Sequence, residues 1–190
     1  MLIALIALAI LAGALCFRLH ALEAEIAALE TDAAYGIASR PGLDRHWQRR
    51  QSQSQGHEVV FMDLDGLHAL NERLGYGEVD RRIRTALALR EGDTYFIARW
   101  YSGDEIVLLV PKGDAAGAAA RIQTRLQGVG LSATYGTAPA QTDLRSAVAE
   151  AAEKVQAAKA AGRRGTLNGQ SLLMPRPNVA TALMVEAAHV

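Results

Sequence analysis

Apolar and polar positions divide the chain into stretches of different rhythm. Residues 1–17, MLIALIALAILAGALCF, carry no charge until Arg18, close to the lower limit of the roughly 17 to 25 residues that cross a bilayer as a helix. The run is therefore read as a transmembrane anchor over 1–18. The alternatives are a cleaved signal peptide, which should open on basic residues and close on small ones, a lipoprotein signal at Cys16, against which bulky Leu15 argues, and a buried helix. The spacing then changes: Leu15, Leu19, Leu22, Ile26 and Leu29 recur at intervals of four, three, four and three, with Glu23, Glu25 and Glu30 between them. That is a short heptad-like seam on a linker helix over 19–31, which either pairs two copies or lies on its own domain.

Pro41 and Gly42 break the chain, Leu43 to Gln51 predicts a helix, and the polar QSQSQG reads as a loop. The apolar run Glu58 to Leu64 predicts a central strand, followed by helices at about 67–74 and 78–90. Two strand-like runs, Thr94 to Trp100 and Glu105 to Val110, are split by the turn-forming YSGD, so they predict a hairpin. A helix from Ala115 to Leu126, a strand near Leu131 to Tyr135, a long Ala-rich helix from about Thr142 to Ala161 and a brief strand at Thr166 to Leu167 complete the pattern. The class is α/β, an α+β sandwich with helices packed on a single sheet, and the domain is bounded at 32–169. The tail over 170–190 contains Pro175 and Pro177, with weak helical character from about Asn178, and suggests no function.

Composition changes the picture in three ways. The 20 basic and 20 acidic residues leave the chain near neutral, so no nucleic-acid partner is expected. Cys16 is the single cysteine, which excludes a disulfide framework and a thiolate metal site. Half the residues are hydrophobic but only 5% aromatic, so the core must rest on Ala, Leu, Val and Ile. Arg18, Arg40, Arg45, Arg49 and Arg50 all follow the anchor. By the positive-inside bias the expected location is the inner (cytoplasmic) membrane, single-pass, with the body in the cytoplasm.

Two motifs carry candidate chemistry. In VVFMDLDGLHALNERLGYGEVD, Asp63 and Asp65 end an apolar strand; in WYSGDEIVLLV, Asp104 and Glu105 occupy a hairpin tip. A hairpin beside that strand would bring Asp63 and Asp104 together as hard oxygen ligands suited to Mg²⁺, and two ions about 3.5 to 4 Å apart can drive an in-line displacement on phosphorus. The plainer reading has Asp65 capping the next helix and Ser102, Gly103 and Asp104 as ordinary turn residues.

Taken together the motifs resemble the GGDEF domain of the diguanylate cyclases, over about residues 31–168. The signature is here SGDEI, Ser102 to Ile106; the DLD of Asp63 to Asp65 is followed by Asn71 and Asp80; TDAAYGIASR, retaining Asp32, Gly36 and Arg40, is similar to the family's entry motif; and AAKAAGRR carries Lys159 and Arg163 at its ending. The resemblance implies a palm-like central sheet flanked by helices, and condensation of two GTP into cyclic di-GMP with release of pyrophosphate, by a homodimer and with two Mg²⁺ (Mn²⁺ as substitute) per site. Asp63, Asp104 and the carbonyl of Leu64 would hold metal, with Glu105 in the catalytic hairpin. Asn71 and Asp80 would read guanine, whose N1–H and amine suit a carboxylate as paired donors. His68, where the family often has lysine, together with Lys159 and Arg163, would meet the phosphates. Lys159 and Arg163, one helical turn apart, would share a face; the alternative is a solvated basic helix end.

Several positions depart from the pattern: Ser102 for the first glycine, Tyr76 and Val79 ahead of Asp80, and Arg99 one place early with Trp100 following, which reverses the side chain's phase. Arg90 to Asp93 resembles the family's product-inhibition motif, farther from Ser102 than is usual. The competing function is a degenerate module that binds GTP or a protein partner as a membrane-tethered regulator without making the dinucleotide.

Overall fold

The computed structural model describes residues 2–50, 56–101, 103–140 and 143–172. The first helix, α1 (Leu2–Leu29), runs unbroken through both the apolar stretch and the seam. Among the described residues no helix is long and apolar enough to cross a membrane. This corrects the anchor over 1–18 and withdraws the membrane partner and inner-membrane placement that rested on it. The charge-free stretch stops at Arg18, so Leu2 to Phe17 rises only about 24 Å at ~1.5 Å per residue, short of a ~30 Å hydrocarbon core. Leu15, Leu19, Leu22, Ile26 and Leu29 are all exposed, so the seam does not lie on its own domain.

Short strands β1 (Thr31–Asp32) and β2 (Ile37–Ala38) form an antiparallel turn after α1, and α2 (Arg40–Arg50) follows. The helix begins earlier than expected because Pro41 falls in its first turn, where the missing N–H costs nothing. Then come β3 (His57–Leu64), α3 (Leu67–Leu74), α4 (Tyr76–Leu87), β4 (Phe96–Arg99), β5 (Glu105–Pro111), α5 (Ala115–Gly128), β6 (Ala133–Pro139), α6 (Leu144–Ala160), β7 (Thr166–Leu167) and β8 (Gln170–Ser171). The QSQSQ segment, Ser102, Thr142 and the tail after Leu172 lie outside the described residues, as do the expectations made for them.

One sheet holds the strands in the order β1-β2-β4-β5-β3-β6-β7-β8. β3 sits at its centre, antiparallel to both β5 and β6. Its alternation divides the core in two: Val60, Met62 and Leu64 pack with Val79, Ile83 and Leu87 of α4 and Ile122 and Leu126 of α5, while Val59 and Phe61 pack with Leu43 and Trp47 of α2 and Val148, Ala151 and Val155 of α6. Both faces are thus covered, which is why β3 and β5 read as continuous apolar runs.

Gly136 of β6 faces α6, and a Cβ there would stand 2.0 Å from the carbonyl oxygen of Ala151. The helix backbone therefore rests directly on the sheet, helped by the small side chains of Ala147, Ala151 and Ala158. Gly136→Val should push α6 outward and lower stability by about 2 kcal/mol or more, in the range of core overpacking. A fall in the denaturant midpoint at unchanged m-value checks this.

Candidate active site

The alternation that puts Val59 and Phe61 against α6 also puts Asp63 on that side of the sheet. Its register partner is Glu105 at the start of β5. The amide of Leu64 donates to the carbonyl of Asp104 at 3.1 Å, tying the end of β3 to the hairpin. Burial raises the Asp63 carboxyl above the usual carboxylate range; Lys159 counteracts this by hydrogen bond and charge, and the adjacent Asp104 pushes it up again. Glu105 is also raised, by burial and then by the charges of Asp104 and Asp63. Asp63, Asp104 and Glu105 therefore form one acidic group.

Lys159 reaches that group from the last turn of α6. Its Nζ donates to Asp63 Oδ1 at 2.6 Å, and stands 3.3 Å from Asp65 Oδ1 and 3.5 Å from the Leu64 carbonyl oxygen. Arg163 does not share this face. α6 ends at Ala160, Gly162 turns the chain at φ 71°, and the Arg163 side chain lies against Gly169, so the helical-turn spacing from Lys159 does not apply. The second cation at the acids is Arg164, with Nη1 3.9 Å from Asp65 Oδ1.

Asp65 does not cap α3, whose N-cap is Gly66 at φ 67°. Its carboxylate instead accepts from the Thr134 hydroxyl at 2.9 Å, the Ser132 hydroxyl at 3.3 Å and the Gly165 amide at 3.2 Å. It thus staples the end of β3 to β6 and to the turn after α6.

The hairpin tip is held by residues whose joint action the sequence did not reveal. Arg99 pairs with Asp32 at 3.0 Å and donates to the carbonyl of Gly103 at 3.0 Å. Buried Tyr35 donates its hydroxyl to the same carbonyl at 2.9 Å, and its ring lies 4.2 Å below the Arg99 guanidinium. The Asp32 carboxylate also accepts from the Tyr35 amide at 2.8 Å. Gly103 itself sits at φ 103°, a conformation that favours glycine. The early Arg99 thus points at the entry turn, while Trp100 is buried on the α2 side, with the Arg40 guanidinium 4.6 Å from its ring.

Asn71 on α3 and Asp80 on α4 flank the turn at Gly75. Asn71 Oδ1 is buried without a hydrogen-bond partner, an acceptor left open, and the charge of Asp80 acts on the Tyr35 hydroxyl. Val79 is fully buried and Tyr76 is exposed. His68 is exposed, 3.3 Å from Glu72. Asp93 is spent internally: its carboxylate takes both Arg125 Nη atoms at 2.8 Å and the Arg90 amide at 2.8 Å. Burial works against ionisation of Asp93, yet the Arg125 guanidinium and the Arg90 amide hold it below the usual range. A cavity of about 570 Å³ lies elsewhere, between the end of α1, α2 and β4, lined by Glu30, Arg45, His46 and Phe96.

Among the described residues no three His, Cys, Asp or Glu side chains form a ready metal cluster. Asp63, Asp104 and the Leu64 carbonyl nevertheless suit Mg²⁺, which takes one or two carboxylates and fills its shell with water and phosphate. The Lys159 ammonium, held by Asp63 and the Leu64 carbonyl, shows that these oxygens already accept a cation.

A family profile described as "Diguanylate cyclase, GGDEF domain" matches residues 36–165. No curated protein matches the sequence. Among solved structures, the coiled coil and GGDEF domain of DgcB from Caulobacter crescentus, in complex with c-di-GMP, superposes with TM-score 0.66 at 19% identity, covering 82% of this chain and 93% of that one. Diguanylate cyclase SiaD from Pseudomonas aeruginosa, in complex with its activator SiaC, gives TM-score 0.62 at 21% identity over 87% and 72%. The GGDEF domain of PA1120 from Pseudomonas aeruginosa gives TM-score 0.55 at 26% identity over 70% and 96%.

Every cause acting on Glu105 penalises its charged form. A raised folded-state pKa means that stability is full below the unfolded carboxylate pKa and is lost as pH rises through the folded value. Glu105→Gln should therefore raise the unfolding midpoint of the metal-free protein at pH 7, with the gain shrinking toward zero as pH falls below the carboxylate range. Thermal melts of both proteins across that range check it.

Proposed function

Because the chain belongs to the GGDEF family of diguanylate cyclase domains, we propose that it condenses two GTP molecules into cyclic di-GMP and releases two pyrophosphates. The observation that carries this reading is the meeting of Asp63, Asp104 and Lys159 at the end of the central strand, a paired acid and cation suited to phosphoryl chemistry.

In each half-reaction the 3′-oxygen of one GTP attacks the α-phosphorus of the other; that P–O bond forms as the bond to pyrophosphate breaks. Asp63, Asp104 and the Leu64 carbonyl would hold two Mg²⁺, or Mn²⁺ in their place, whose chemistry is to activate the hydroxyl and neutralise the leaving group. Glu105, opposite Asp63 in the register and raised by its neighbours, is suited to accept the 3′-hydroxyl proton. Lys159 would engage phosphate oxygens, with Arg164 as the second cation beside it and His68 at the rim. The open Asn71 acceptor and Asp80 would take the donors on guanine's Watson–Crick edge.

Two bound GTP molecules must face each other, so the reaction calls for two copies of the chain. The exposed row of Leu15, Leu19, Leu22 and Ile26 on α1 supports pairing through that helix.

The test uses the full chain with GTP and Mg²⁺, with products separated by mass-resolved chromatography across a range of protein concentrations. Cyclic di-GMP should form, and Asp104→Ala should cut its rate about a hundred- to a thousandfold, as loss of a preorganised electrostatic group does. GTP binding without dinucleotide at any concentration would overturn the cyclase and leave the GTP-binding regulator. Asp80→Asn offers one acceptor in place of two, and should weaken GTP in competition with ATP; nucleotide competition binding measures this.

A further inference from the structure

Lys159 is held by the same oxygens that would ligate metal. Its Nζ lies 2.6 Å from Asp63 Oδ1 and 3.5 Å from the Leu64 carbonyl oxygen, with Asp65 Oδ1 at 3.3 Å on its other side. The side chain is only 20% exposed, and Asp63 only 24%. An ammonium in hydrogen-bond contact and a divalent ion about 2.1 Å from its ligand oxygens cannot share that space. Asp65 is hydrogen-bonded by Thr134, Ser132 and Gly165 and so stays in place whether or not Lys159 remains close to it.

We propose that Lys159 is an internal competitor for the cation site, which makes the acidic group selective for a metal arriving with a triphosphate over the free ion. Free metal must expel the ammonium from its closer acid, Asp63, and leave it with Asp65 alone. Metal bound to a triphosphate expels it toward phosphate oxygens, which take it up. The two ligands are thereby coupled through this side chain in addition to their direct metal–phosphate contact, and the coupling is reciprocal. The inference rests on the metal-site reading given above, and it assigns Lys159 a second partner in the ligand-free protein that a phosphate contact alone would not require.

The test measures Mn²⁺ affinity of the full chain by isothermal titration and by the spin-resonance signal of the free ion, with and without a non-cleavable GTP analogue. In the native protein Mn²⁺ alone binds weakly and the analogue tightens it. Lys159→Met, neutral and of similar length, should tighten Mn²⁺ alone by about tenfold and narrow the ratio of the two affinities by about the same factor, leaving the part that the analogue's own phosphate ligands supply. Lys159→Arg keeps the charge and should keep weak Mn²⁺ binding in the absence of nucleotide. Circular dichroism establishes that both variants fold, and if Lys159→Met does not, Lys159→Ala serves in its place. Mn²⁺-alone affinity that is unchanged or weaker in the neutral variant, while the analogue still promotes metal binding, overturns the competition and leaves the metal site standing. Absence of Mn²⁺ binding even with the analogue overturns the metal-site reading and this inference together.

Discussion

The contact on which the arrangement depends is that between the α6 backbone and Gly136 of β6. A helix separated from the sheet by ordinary side chains would carry its last turn farther from the strand ends. Resting on a glycine, α6 brings Lys159 to 2.6 Å from Asp63. The same close approach explains the Ala-rich buried face of α6, because larger residues would lift the helix. Packing and chemistry are therefore set by one small residue, two positions along β6 from Thr134, the register partner of Asp63.

Around that contact the chain assembles a site that works against its own stability. Asp63 and Glu105 are both raised by burial and by neighbouring acids, and one lysine with a distant arginine only partly compensates. Buried like charges with incomplete compensation cost folding free energy, and clusters of this kind gather where a ligand will later complete them. The cost is met by the two apolar layers on either side of β3, whose residues are almost wholly withdrawn from water.

Much of this was legible in the sequence. The strands β3 and β5 announced themselves as apolar runs, and the acids at their ends could meet only if the hairpin lay beside β3, as the register shows. The family resemblance was likewise legible from motifs in order. The entry turn was not, because two-residue strands carry no periodicity, and its contacts to Gly103 and Arg99 span more than sixty positions of sequence. Arg163 was misphased because helical spacing was applied beyond the end of the helix, expected at about Ala161 and found at Ala160, after which the chain turns through Gly162. The plainer alternative for Asp65, a local cap, fails because its partners lie far along the chain on β6 and beyond α6. The apolar run at the start was taken as an anchor on hydropathy, with its length at the margin.

The clamp on Gly103 has a mechanical meaning. α1 ends at Leu29, and the ion pair to Arg99 begins at Asp32, so almost no slack separates the helix from the clamp. The amide of Ser39 returns to the carbonyl of Glu30 at 2.7 Å and closes the turn on itself. A twist of α1 would thus be borne by Asp32 and Tyr35 directly on the residue before Asp104, gearing the helix to the acidic group through hydrogen bonds rather than through the core.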